Sequence, residues 1–216
     1  MTVQAPIPDY AAARRVMIES QLRPTGVVDP AIVGAFAAVE RENFVPESLR
    51  PLAYADRAIA LGDGRFLTPP SALGKLLMQM MPRSGQRALV VGAASGYSAE
   101  VLRRMGLDVI ALDSSAPLAG NARELGLNVV EGPLEEGWKK GAPYDQILID
   151  GAVEQIPETI VRQLADGGRL GTALIDRGVT RLVVGRKVGD AFGYLSVADA
   201  GMPVLPGFNR PRAFTF

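Results

Sequence analysis

The stretch Ala88-Leu89-Val90-Val91-Gly92-Ala93-Ala94-Ser95-Gly96-Tyr97 decides how this chain is read. Its run of apolar residues, rich in valine, is the mark of a short strand buried on both faces. A glycine turn ends the strand, and Val101, Leu102 and Met105 then mark a helix. Val109-Ile110-Ala111-Leu112 gives a second strand, closed by Asp113 about 20 residues beyond the turn. A glycine turn lets a ligand approach the backbone, and an acidic residue ending the second strand can hydrogen-bond the hydroxyl pair of a ribose. The dinucleotide pattern GxGxxG fails here, because position 94 is Ala and position 97 is Tyr. No Gly-Lys-Ser/Thr follows, so a phosphate-binding loop is excluded as well. On local grounds the turn also fits a purely structural role in packing helix against strand.

Outward from that stretch, strands and helices alternate. Residues 118–125 read as a short helix, Val129-Val130 as a third strand and Ile147-Leu148-Ile149 as a fourth. A helix follows with Pro157 in its first turn and Gly167-Gly168 past its end. Residues 170–175, 182–188 and 194–197 supply further strands. This order predicts an α/β fold: a Rossmann-like, doubly wound and mostly parallel sheet with right-handed crossovers, covered on both faces. Residues 1–80 instead read as an N-terminal helical segment with a candidate substrate loop, packed on an α/β core over 81–216 as one compact domain. Asp9 can cap a helix running through Arg14 and Met17 to about Leu22, and Asp29-Pro30 starts another with Ile32, Val33, Phe36 and Val39 on its buried face. Between Pro51 and Pro70 the pattern breaks into Gly62-Asp63-Gly64 and Thr68-Pro69-Pro70, a long loop or short strands. Leu73, Leu76, Leu77 and Met80 mark a third helix, with Met78, Met80 and Met81 as core filler.

Composition narrows the chemistry. The 216 residues include neither cysteine nor histidine. That removes disulfides, thiol nucleophiles, Cys-ligated metals, the Ser-His-Asp triad and the HExxH helix. An oxygen-ligated cation stays open in principle, but no EF-hand spacing occurs and no metal is expected. The 23 Lys and Arg balance 23 Asp and Glu, which gives no electrostatic argument for nucleic acid or an anionic membrane as partner. No apolar run approaches the ~18 residues of a membrane span, and the first twenty residues lack a signal-peptide pattern, so a cytoplasmic location is expected.

A resemblance then becomes specific. Met17-Ile18-Glu19-Ser20-Gln21-Leu22-Arg23, Val39-Glu40-Arg41-Glu42-Asn43-Phe44-Val45-Pro46-Glu47, Ala53-Tyr54-Ala55-Asp56-Arg57 and the loop from Leu61 to Pro70 follow one another in the order and spacing of protein-L-isoaspartate O-methyltransferases. Ala142-Pro143-Tyr144-Asp145-Gln146-Ile147 and Leu164-Ala165-Asp166-Gly167-Gly168-Arg169-Leu170 also look like later strands and turns of that family. The likeness fades over the final stretch of the chain, including Arg210-Pro211-Arg212-Ala213-Phe214-Thr215-Phe216, which reads equally as an edge strand, a lid or a partner contact.

The resemblance implies a class I methyltransferase fold using S-adenosyl-L-methionine, with isoaspartyl-containing proteins or peptides as substrate and methylation as the first step of their repair. It places Gly92, Ser95 and Gly96 on the methionine and ribose side of the cofactor and Asp113 on the ribose hydroxyls. Thr68 falls where the family has a Ser or Thr beside the reacting carboxylate, with Arg65 and Pro69 in the substrate loop. This chemistry agrees with the missing histidine. An isoaspartyl carboxyl group with a pKa of about 4 is already ionised at neutral pH and needs no general base. Transfer from a sulfonium to a carboxylate neutralises two charges, so alignment and exclusion of water can supply most of the acceleration.

The chain departs from the family in three places. Ala94 stands where a glycine is usual; Gly132-Pro133-Leu134 replaces a Gly-Asp-Gly turn near the adenine; and Arg65-Phe66 replaces a small polar pair before the Ser or Thr. Two alternatives therefore stand beside the repair enzyme: a methyltransferase-like binding or regulatory protein that has lost catalysis, and a methyltransferase for another carboxylate. Bland readings also attach to single residues. Thr68 can cap the helix after it, Asp56 and Arg57 can form a local pair, Arg65 can be a solvated arginine, and Phe44 and Tyr54 can be core aromatics.

Overall fold

The structure, a computed structural model, describes residues 9–209. Asp9 caps α1 (Tyr10–Met17) as the sequence suggests, its carboxylate accepting the Ala12 N–H at 2.9 Å. A wider helical turn over Ile18–Leu22 carries the chain on, and Gly26, at φ 87°, ends the segment. Asp29 likewise caps α2 (Pro30–Ala38), accepting from Ala31 and Ile32. Two short 3-10 turns, Arg41–Phe44 and Glu47–Leu52, lead to an antiparallel hairpin of β1 (Ile59–Gly62) and β2 (Arg65–Leu67). Of the two readings open for this region, the short strands are the one that forms. The third helix, α3 (Pro70–Met80), buries Leu73, Leu76, Leu77 and Met80. Met81 is not core filler: it leaves the helix in a left-handed conformation and is 52% exposed.

The α/β half follows as β3 (Arg87–Val91), α4 (Tyr97–Arg104), β4 (Asp108–Asp113), α5 (Ala116–Glu124), β5 (Val129–Glu131), β6 (Tyr144–Val153), α6 (Glu158–Val161), β7 (Leu164–Asp176), β8 (Val179–Val188) and β9 (Ala191–Asp199). They form one seven-stranded sheet in the order β5-β4-β3-β6-β7-β8-β9. β3 to β7 pair parallel with one another, while β8 on β7 and β9 on β8 are antiparallel, as a meander. Period-two alternation assigns the two faces. Ala88 and Val90 join the core cluster that includes residues of α1 to α4, whereas Leu89 and Val91 join the other cluster with Ile160 of α6. The helix after β6 is a single turn with Pro157 at its N-cap, and Gly167-Gly168 lie inside β7. There the register with β6 breaks between Tyr144 and Gln146; Gly167, at φ 76°, supplies the bend that a bulge requires.

Strand order also fixes where a ligand can sit. From β3 the chain winds outward through β4 to β5; from β6 it winds the opposite way to β9. The reversal lies between β3 and β6, and in open α/β sheets the crevice beyond the carboxyl ends of the strands at such a point is the usual ligand seat. Among the described residues no helix is long and apolar enough to cross a membrane.

Candidate active site

The glycine turn rises from the end of β3 at this crevice. Gly92 and Gly96 adopt φ 74° and 93°, conformations natural to glycine. Ala94 takes φ 50° and is buried, so the usual glycine here is replaced without opening the turn; the backbone accepts a left-handed alanine instead. Asp113, fully buried at the end of β4, stitches the turn to its neighbour by accepting the N–H of Ala94 and of Ser115, both at 2.8 Å. Ser95 lies in the same turn and is buried. Its hydroxyl donates to the Phe44 carbonyl at 2.6 Å, which ties the N-terminal half to the turn. A cleft of about 330 Å³ opens beside it between Phe44, Leu61, Leu118 and Asn121, and it shares only Ser95 with the residues expected around the cofactor.

The hairpin corrects the reading of Arg65. Its side chain is neither solvated nor turned to a substrate mouth. It is 2% exposed, and its Nε donates to both carboxylate oxygens of Asp113 at 3.2 Å while an Nη donates to Ser114 Oγ at 2.7 Å. Asp63 at the hairpin tip accepts from Ser115 Oγ at 2.6 Å, clamping the loop to the end of β4. With three methylenes ahead of its guanidinium, the arginine reaches inward here because a buried carboxylate with spare acceptor capacity waits for it.

Thr68 follows the hairpin, buried, and donates its hydroxyl to Asp150 at the ligand end of β6. It does not cap α3. Asp56 takes that role, accepting the Ser71 N–H at 3.0 Å, and it forms no ion pair with Arg57 among the described residues. Pro69 is the N-cap residue, so it shapes the chain beside Thr68. Asp150 also accepts from Ser98 Oγ at 2.5 Å. Burial pushes the Asp150 carboxyl above the ordinary aspartate range, opposed by the two hydroxyl donors and by the Arg41 charge. The folded chain therefore binds this proton more tightly than the unfolded one. The stability that Asp150 contributes is fullest below about pH 4 and falls as pH rises through its raised folded value. Asp150→Asn should remove this dependence, so the variant gains on the parent chain between pH 4 and pH 8 in urea unfolding. An offset unchanged across that range would contradict a raised carboxyl.

Beneath these groups lies Arg41, completely buried. Its Nε donates to the Ala53 carbonyl and an Nη to the Thr68 carbonyl, both at 2.6 Å, and its guanidinium stacks 4.5 Å from the centre of the Tyr97 ring. Phe44 packs edge-on against the same ring, and the Tyr54 hydroxyl donates to Glu42, so both aromatics are core residues as the plainer reading held. Arg41, Asp150 and Ser98 were not singled out from sequence. An acidic residue directly after the apolar run Ile147-Leu148-Ile149 was the available signal for Asp150.

The crevice itself is filled by the chain. Beyond Ile149, the last β6 residue paired with β3, Ala152 bridges to Val204. Ala152 N–H donates to the Pro203 carbonyl and its own carbonyl accepts from Leu205 N–H, each at 2.9 Å. Leu205 thereby lies over the diverging ends of β3 and β6: a Cβ built on Gly92 would stand 2.9 Å from Leu205 Cδ1, and one on Gly151 would overlap the same side chain. Phe208 is buried in the cluster that holds Leu112 and Leu134, and Pro206 abuts Gly64 of the hairpin. Between Thr68, Asp150, Met202 and Leu205 about 10 Å³ remains. That is room for about one water, against the hundreds of Å³ of a small-molecule pocket. With Met202–Phe208 so placed and Arg65 on Asp113, S-adenosylmethionine does not fit. Pro133 shapes the adjoining loop with φ −61°, and Glu135 behind it approaches Gly207 of the same segment. The expected tail residues Arg210–Phe216 lie outside the described residues.

Comparison with known proteins agrees with this geometry at the level of the fold and adds the family. Residues 13–192 match the model of the protein-L-isoaspartate(D-aspartate) O-methyltransferase family. A protein-L-isoaspartate O-methyltransferase of Methylorubrum extorquens (strain PA1) is 41% identical over 175 residues, covering 78% of this chain and 77% of that one. Another, from Rhodopseudomonas palustris (strain HaA2), is 35% identical over 168 residues, 74% and 69% of the two chains. A solved protein-L-isoaspartate O-methyltransferase superposes with a TM-score of 0.76 at 22% identity over 92% of this chain and 66% of its own. A Plasmodium falciparum structure described as a putative enzyme of that name, in complex with S-adenosyl-L-homocysteine, gives 0.76 at 17% identity over 92% and 99%. On the family match and these identities, the chain belongs to the protein-L-isoaspartate(D-aspartate) O-methyltransferase family.

Proposed function

We propose that this chain is an S-adenosyl-L-methionine-dependent carboxyl O-methyltransferase that acts on L-isoaspartyl residues of damaged proteins in the cytoplasm. The observation that carries the reading is the family match over residues 13–192, which spans the glycine turn, Asp113 and Thr68 together. Supporting it, Gly92 after β3, Asp113 at the end of β4 and Thr68 on Asp150 of β6 gather at the carboxyl ends of the central strands. In this reading Gly92, Gly96 and Asp113 receive the cofactor, Ser95 braces the turn, and the Thr68 hydroxyl orients the substrate carboxylate beside Pro69. The reading requires a second conformation in which Met202–Phe208 lies elsewhere and Arg65 has left Asp113, free to meet the substrate's charge from the loop.

A second reading is favoured by the filled crevice: a member of the family that no longer takes the cofactor and serves as a binding module. The test is methyl incorporation into an isoaspartyl peptide and its aspartyl counterpart. Incorporation into the first alone is expected. Cofactor binding without incorporation removes the substrate assignment, and no cofactor binding favours the second reading.

A further inference from the structure

The crevice is occupied by groups from the chain itself. Asp113, suited to hydroxyl donors, is met by the Arg65 guanidinium. The bare backbone at Gly92 and Gly151 is covered by the Leu205 side chain, and an aromatic ring, Phe208, is buried on the side of Leu112 and Leu134. These occupants come from two separate parts of the chain, the β1–β2 hairpin and Met202–Phe208, which touch each other where Pro206 meets Gly64.

The attachment is shallow in hydrogen-bond terms. Ala152 makes two backbone bonds with the segment, and Glu154 N–H donates a third to the Phe208 carbonyl at 3.1 Å. Pro203, which faces β6, has no N–H to give, so the single bridge at Val204 does not extend back along that strand. Its hold comes instead from burying Met202, Leu205 and Phe208, each at most 6% exposed. The hairpin is held to the end of β4 by polar side-chain contacts, Asp63 with Ser115 Oγ and Arg65 with Asp113 and Ser114, which a polar ligand at Asp113 could exchange.

We propose that Met202–Phe208 and Arg65 form an intramolecular strap that competes with the cofactor for one seat. The strap closes the crevice while no ligand is present, and ligand binding expels Leu205 and Phe208 and releases Asp113 from Arg65. The proposal rests on the methyltransferase reading, since it takes the seat to be a cofactor seat.

The test uses the full chain and S-adenosylhomocysteine as probe. In calorimetric titration Leu205→Glu, which places a charge where the strap is buried, should bind the probe at least tenfold more tightly than the parent chain. On the parent chain itself, saturating probe should abolish hydrogen-exchange protection of the Leu205 and Ala152 amides, the two that join strap to β6. This second measurement stands even if the variant folds poorly. Equal affinity of the two chains, or a Leu205 amide still protected at saturation, overturns the strap and leaves the methyltransferase reading standing. If neither chain binds the probe at millimolar concentration, the strap and that reading fall together.

Discussion

Arg41→Met lowers the thermal midpoint by on the order of 10 °C, a cost of roughly 3–5 kcal/mol. Methionine keeps much of the aliphatic stem, so the loss isolates the guanidinium. That group holds the carbonyls of Ala53 and Thr68 at 2.6 Å each, and both lie where water does not reach. Hydrogen bonds to a charged donor contribute about 1.5–3 kcal/mol apiece, and the abandoned carbonyls carry a desolvation cost of their own. Burial pulls the Arg41 pKa down, yet an arginine starts too high to lose its proton, so the charge persists and its neighbours are arranged around it. Arg41→Lys should recover only part of the loss, because a single ammonium cannot span two carbonyls set for a planar fork. Thermal unfolding of the three chains decides the matter; a methionine variant as stable as the parent would mean that Arg41 does not organise the loop that carries Thr68.

The second large effect concerns the Arg65–Asp113 pair, with side chains 3% and 0% exposed. Asp113→Ala strips the acceptor from Ala94 N–H, Ser115 N–H and the guanidinium together, and should cost about 3–5 kcal/mol. Arg65→Met should cost less, about 1.5–3 kcal/mol, because the two backbone donors still hold the carboxylate. The two losses should not add: the double variant leaves no unpaired buried charge, and a coupling of at least about 1 kcal/mol is expected from denaturant unfolding. Strict additivity would show that the pair is a bystander to folding.

These residues also show what the sequence can and cannot reveal. The central strands were legible because burial on both faces forces unbroken apolar runs such as Ala88 to Val91, and a glycine turn must follow wherever helix and strand meet tightly. Asp113 was legible through its place at the end of the second strand. Arg65 was not, because its partner is 48 residues away and no local pattern distinguishes an inward arginine from a solvated one. Thr68 before two prolines resembles a helix cap; only the fold shows that Asp56 caps and that Thr68 faces Asp150. The run Met202-Pro203-Val204-Leu205-Pro206-Gly207-Phe208 had one readable sign, five apolar residues or prolines opening a segment with no helical or strand period, which signals burial without an element of its own.

The floor under Leu205 has a consequence for how quickly its occupant can change. Gly92 and Gly151 place only main chain there, so no rotamer of the sheet is committed to the present guest. Exchange of the occupant draws on the side chains that Met202, Leu205 and Phe208 bury in the two core clusters. The main-chain floor is a blank socket, and the lock on it is the Arg65–Asp113 pair at its rim.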